Sequence, residues 1–103
     1  VARSARVVWR PAGGKTVVVE LGVGEDCRVA SAVVSGDFFV YPEEALEVFE
    51  ESLRGCGDRD CVLGAAARAA GVSEAVIGFT WEELGEVVAG LWSRLCGAAE
   101  EPL

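Results

Sequence analysis

Residues Gly13 to Gly24 read GGKTVVVELGVG, and the run after the lysine decides the fold. GGKT are the letters that close a phosphate-binding loop, where glycine amides cradle phosphate, a lysine reaches the terminal phosphoryl group and a Ser or Thr holds magnesium. That loop needs a glycine five positions before Gly14, and this chain has Trp9 there. It also needs a helix to start at the lysine, so that the helix N-terminus faces phosphate. Lys15 instead leads into alternation: Val17, Val19, Leu21 and Val23 on one face, Thr16, Val18, Glu20 and Gly22 on the other. Period two is the signature of a half-buried strand. Gly13 and Gly14 are therefore expected to form a hairpin turn that presents Lys15, exposed, at a sheet edge.

The neighbouring segments extend the same pattern. Upstream, Val7 and Trp9 alternate with Arg6, Val8 and Arg10 in a strand ended by Pro11. Downstream, Gly24-Glu25-Asp26 is turn chemistry, and Arg28 to Ser35 is extended and rich in β-branched residues. Three strands with short glycine-containing connections predict an antiparallel meander. After SGDFFVY (Ser35–Tyr41) the period changes. Pro42 suits the first position of a helix, because its missing N–H would be unpaired there. Glu43 and Glu44 come next, where the helix dipole favours negative charge. Leu46, Phe49 and Leu53 give the apolar stripe, and Arg54 with Gly55 should close it.

Asp58 or Asp60 is expected to cap a second, alanine-rich helix running to about Ala70 and closed by Gly71. In the third helix, Thr80 and Glu83 form a capping box and Phe79 is placed to staple to Leu84. Leu84, Val87, Val88, Leu91, Trp92 and Leu95 continue it as one apolar stripe before Gly97. The expected fold is α+β: a three-stranded antiparallel sheet, then about three helices packed on one face. All 103 residues belong to one domain, with residues 98–103 expected to fray.

Composition narrows the function. A net charge of -8 argues against nucleic acid and against an anionic membrane as partners. It leaves a basic protein partner, or simply a solvated acidic surface. The chain has eight Arg, a single Lys, and no His, Met, Asn or Gln. Avoidance of thermolabile amides points to a thermophile or to a biased genome. Without His the usual general base and the commonest metal ligand are missing. No apolar run approaches the length of a membrane span and the N-terminus lacks a signal-peptide pattern, so the expected location is the cytoplasm.

Few residues stand out as chemistry. In SGDFF, Phe38 and Phe39 should split between core and surface, with Asp37 bonding turn amides; an exposed Phe would mark a docking patch. Glu43, Glu44, Glu47, Glu50 and Glu51 read as a solvated helix face, not as a catalytic pair. Of Cys27, Cys56, Cys61 and Cys96, only Cys56 and Cys61 come near the close pairing of a zinc site, and there is no His to complete a set. They leave two readings, buried thiols or a disulfide. No Ser or Cys has a His partner, so no catalytic residue and no metal site are assigned, and the chain reads as a binding or accessory domain.

The run from Gly13 to Gly55 resembles the C-terminal domain of lipoate-protein ligases, most closely the version carried by archaea as a separate small subunit. Four features carry the resemblance: GGK leading into a strand, a strand ending in SGDFF, YPEEAL opening a helix, and LRG closing it. The run from Gly13 to Gly55 covers about 40% of the chain. The resemblance implies a fold similar to iron-sulfur scaffolds and SufE-like sulfur acceptors. It implies an accessory subunit that forms a heterodimer with a catalytic ligase subunit. Lipoate, ATP and magnesium would be bound by that complex and not by this chain alone, giving lipoyl-adenylate. The lipoyl group then passes to a lysine of an acceptor protein, which this subunit would serve only indirectly. By matching position, Gly13, Gly14 and Lys15 are candidates to face the partner's adenylate site, and Gly36, Asp37, Phe38 and Phe39 are candidate structural or interface residues. Two alternatives stay open at this point: an iron-sulfur or sulfur-carrier scaffold on the same fold, and a generic protein-interaction domain.

Overall fold

A computed structural model describes residues 2–11 and 15–97. Strands β1 (Arg3–Trp9), β2 (Val17–Val23) and β3 (Val29–Gly36) form an antiparallel sheet in the order β1-β2-β3. The alternation of β2 does what its pattern requires: Val17, Val19, Leu21 and Val23 are all buried, while Glu20 is exposed. Register aligns Trp9, Val17 and Gly36 in one row, then Val7, Val19 and Val34 in another. The opposite face carries Arg6 paired with Glu20 at 3.3 Å, both exposed, a contact worth little in water. Between Gly22 and Val23 the register slips by one residue, a bulge that leaves Ala30 unopposed.

The helices lie on the apolar face. Helix α1 (Glu44–Leu53) buries Ala45, Phe49 and Leu53, and α2 (Arg59–Val72) buries Val62, Ala65, Ala66 and Ala69. Helix α3 (Trp81–Trp92) buries Leu84, Val88 and Leu91 and continues into a π-helical turn, Ser93–Gly97. The fold is thus α+β, three antiparallel strands followed by three helices. Gly85 lets α3 approach α2, because a Cβ there would sit 2.9 Å from the Ala66 Cβ. The capping box forms as the sequence predicts: Thr80 Oγ1 accepts from the Glu83 N–H at 3.1 Å, and the Thr80 N–H reaches Glu83 Oε1. Such a cap contributes about 1 kcal/mol.

Helix α1 also closes an open sheet edge. The Glu50 carboxylate accepts the outward N–H of Val34 at 2.9 Å, and Val29 exchanges backbone bonds with Gly55 and Cys56. An unpaired edge is a template for aggregation, and here it is covered. Long-range ties add to this: Trp92 Nε1 donates to the Cys27 carbonyl at 2.8 Å, joining the end of α3 to the β2–β3 hairpin.

Three expectations are corrected, the start of α1, the end of α2 and the strand count, and two open alternatives are decided. Helix α1 begins at Glu44, not at Pro42; the Pro42 and Glu43 carbonyls accept from Ala45 and Leu46, so both residues belong to a tighter entry turn. Asp58, not Asp60, caps α2 through the Cys61 N–H, and α2 runs through Gly71 to Val72, since the Ser73 N–H still reaches the Ala69 carbonyl. Of the two cysteine readings, Cys56 and Cys61 are joined in a disulfide, linking the end of α1 to the first turn of α2. Finally, a fifth strand β5 (Ala75–Ile77) pairs antiparallel with β4 (Phe39–Tyr41) as a separate two-stranded ribbon. The expected frayed tail at 98–103 lies outside the described residues. Among the described residues no helix is long and apolar enough to cross a membrane.

Candidate functional site

The strand β2 begins next to the place where β3 ends, and this brings two distant sequence motifs together. The Asp37 N–H donates to the Thr16 carbonyl at 2.8 Å. A Cβ on Gly36 would stand 2.2 Å from that same carbonyl oxygen, and Gly36 has φ +139°. Only glycine fits such an approach at such a φ. Gly78, between β5 and α3, is held likewise: a Cβ there would lie 2.9 Å from the Phe38 Cβ and 3.4 Å from the Lys15 Cβ, at φ +118°. Three backbone segments therefore cross within a few ångströms, and Lys15, Asp37, Phe38, Phe39 and Ile77 line one small recess of about 190 Å3.

The two phenylalanines divide as their alternation predicts. Phe38 is half-buried and meets Phe79 edge-on at 5.1 Å. Phe79 in turn packs edge-on against Trp81 at 5.2 Å, and Trp81 lies 5.9 Å from Phe49 in the core. Trp9 joins the same row of rings through Phe79. Edge-to-face pairs add about 0.5–1.5 kcal/mol beyond their buried area, so the floor of the recess is anchored on the core. Phe39 points the other way and is 52% exposed.

Phe39 does not stand alone. Its cross-strand partner is Ile77, and Tyr41 pairs with Ala75 on the same face of the ribbon. Ile77 is 58% and Tyr41 54% exposed. The reverse face of the ribbon, Val40 and Val76, packs into or against the core. Both faces of these short strands are thus apolar, and one is left to solvent. Contiguous exposed apolar surface is what marks a docking site.

Lys15 is exposed beside this face and has no ion-pair or hydrogen-bond partner among the described residues. It precedes the middle strand, so it stands at the end of the sheet and not along its lateral edge, as the strand order β1-β2-β3 dictates. The Asp37 side chain likewise makes no hydrogen bond among the described residues; its backbone N–H, not its carboxylate, holds the turn. Gly13 and Gly14 lie outside the described residues. The structure therefore gathers Lys15, Gly36, Asp37, Phe38 and Phe39 at one end of the molecule. It places the acidic face of α1 on the far side of β4: Glu43, Glu47 and Glu50 line a groove with Phe39, Tyr41 and Leu46.

The cysteines sit elsewhere. The disulfide occupies Cys56 and Cys61, while the Cys27 thiol accepts from Arg3 Nη2 at 3.2 Å at the opposite end of β2. Tyr41 and Ile77 are the members of the surface that sequence reasoning missed. Their signal was the β-branched pair Val76-Ile77 closed by Gly78, a three-residue strand too short to show periodicity. Comparison with protein-family models, with curated proteins and with solved structures finds no match to this chain.

Proposed function

We propose that this chain is the accessory subunit of a two-component lipoate-protein ligase, docking on a catalytic subunit through the ribbon face and the adjoining Lys15. One observation carries the reading. Lys15 of the GGK motif and Asp37, Phe38 and Phe39 of the SGDFF motif, the two motifs that resemble the ligase small subunit, line one recess beside an exposed apolar surface although Lys15 and Ser35 are 20 residues apart in sequence. In this reading ATP, magnesium and lipoate are held by the catalytic subunit, and the reaction is lipoyl-adenylate formation followed by transfer to an acceptor lysine. This chain supplies no reacting group. Its contribution is to complete the partner's fold around the adenylate site and to bring Lys15 to the interface.

Lys15 then has two possible roles, and one assay separates them. Placed against the nucleotide, its ammonium would neutralise charge developing on the phosphates, as a pre-positioned cation does. Placed on a partner carboxylate, it would only hold the interface. Lipoyl-adenylate formation is measured with the catalytic subunit and rising amounts of Lys15→Ala. A lower rate at saturating subunit, on the order of tenfold or more, assigns Lys15 to the adenylate site. An unchanged plateau reached only at higher subunit concentration assigns it to docking. No stimulation of the catalytic subunit by the unsubstituted chain overturns the ligase reading altogether, and leaves an interaction domain for another protein.

A further inference from the structure

Beside the ribbon, β4 and the first two turns of α1 enclose a groove of about 390 Å3. Phe38, Phe39, Tyr41 and Leu46 make its apolar part, and Glu43, Glu47 and Glu50 supply three carboxyl groups. No basic residue lines it. Glu43 immediately precedes α1, and Glu47 and Glu50 lie in its first two turns, so the three carboxyl groups line the same groove. Glu50 is fixed by its bond to the Val34 N–H, and none of the three has an ion-pair partner among the described residues. The three ion pairs of the described residues engage Glu20, Asp26 and Glu86 instead.

We propose that this groove receives an arginine-bearing extended segment of the partner protein. The occupant is chosen by charge complementarity together with the apolar wall. A guanidinium fits a row of carboxylates with its fork of donors, and it stacks on aromatic faces such as those of Phe39 and Tyr41. Its aliphatic stem covers Leu46 while the charged head reaches the acidic rim. A second copy of this chain is a poor occupant, because its net charge of -8 repels itself. The partner's cation neutralises this acidic rim as it arrives. An arginine segment in the groove deepens the docking reading and rests on it only for the partner being a protein.

The test needs no catalytic subunit, so its failure is distinct from failure of the ligase reading. A blocked pentapeptide of alternating valine and arginine is titrated into the isotopically labelled protein, beside a counterpart carrying glutamate for arginine. Saturable amide shifts at residues 39–50 with the arginine peptide, and none with the glutamate peptide, are expected. Glu47→Lys should weaken that binding at least tenfold, because it puts a cation on the rim that receives the guanidinium. Glu43→Gln combined with Glu47→Gln should also weaken binding with the fold intact. Equal binding of the two peptides, shifts confined to another surface, or a Glu47→Lys variant that binds the arginine peptide as well as its parent does overturns the proposal. So does sedimentation that shows a second copy closing the groove.

Discussion

The strand β2 and the ribbon β4–β5 obey the same alternation and end with opposite fates. In β2 one face is apolar and buried, and the other sets a charge, Glu20, between Val18 and Gly22. In the ribbon both faces are apolar: Val40 and Val76 turn inward, while Phe39, Tyr41 and Ile77 turn outward. A strand pattern that serves only folding stops at one apolar face. The second apolar face of the ribbon is left to solvent, and it is the surface proposed above to dock a partner. Gly36 and Gly78 separate the two regimes, since each lets backbone cross where a side chain would collide.

Substitutions across this divide should fall in a definite order. Phe49→Ala, in the fully buried core, is expected to lower stability by about 3–5 kcal/mol, read from denaturant midpoints. Gly36→Ala comes next at about 2–3 kcal/mol, because the new Cβ meets the Thr16 carbonyl at a positive φ. It should also disturb the Lys15 recess, visible as amide shifts at both motifs. The most informative contrast is between adjacent residues: Phe38→Ala should cost about 1–2 kcal/mol through lost contact with Phe79. Phe39→Ala should change stability by less than about 0.5 kcal/mol and yet abolish docking. A Phe39→Ala protein as destabilised as Phe38→Ala would mean that the ribbon's outer face belongs to the fold, and the contrast between ribbon and β2 would collapse.

Much of the architecture was legible because it rests on period. Val17 to Val23 could satisfy only a strand, and Thr80-Glu83 with the stripe from Leu84 to Leu91 only a capped helix. The ribbon was not, because β5 has three residues and pairs with a strand far back in the sequence, Ile77 with Phe39 and Ala75 with Tyr41. The disulfide was half legible: four residues separate Cys56 from Cys61, a spacing open to a ligand pair or to a bridge, and the bend between α1 and α2 brings the two together. For the site, the split of Phe38 from Phe39 came from alternation. That Lys15 shares a recess with them depends on how β2 begins against the end of β3. Gly36 permits that approach, but no local pattern announces it.

The row of rings from Phe38 through Phe79 and Trp81 to Phe49 has an optical consequence. Trp81 is buried and is reached from the recess through only two phenylalanine rings. Its emission and near-ultraviolet dichroism therefore report on the packing beneath the docking face, with no label attached. Trp92, tied to Cys27 beyond the other end of β2, serves as an internal reference in the same chain. Replacing Trp9 and Trp92 by phenylalanine would leave a single-tryptophan protein in which the arrival of a partner at the ribbon is followed by light alone.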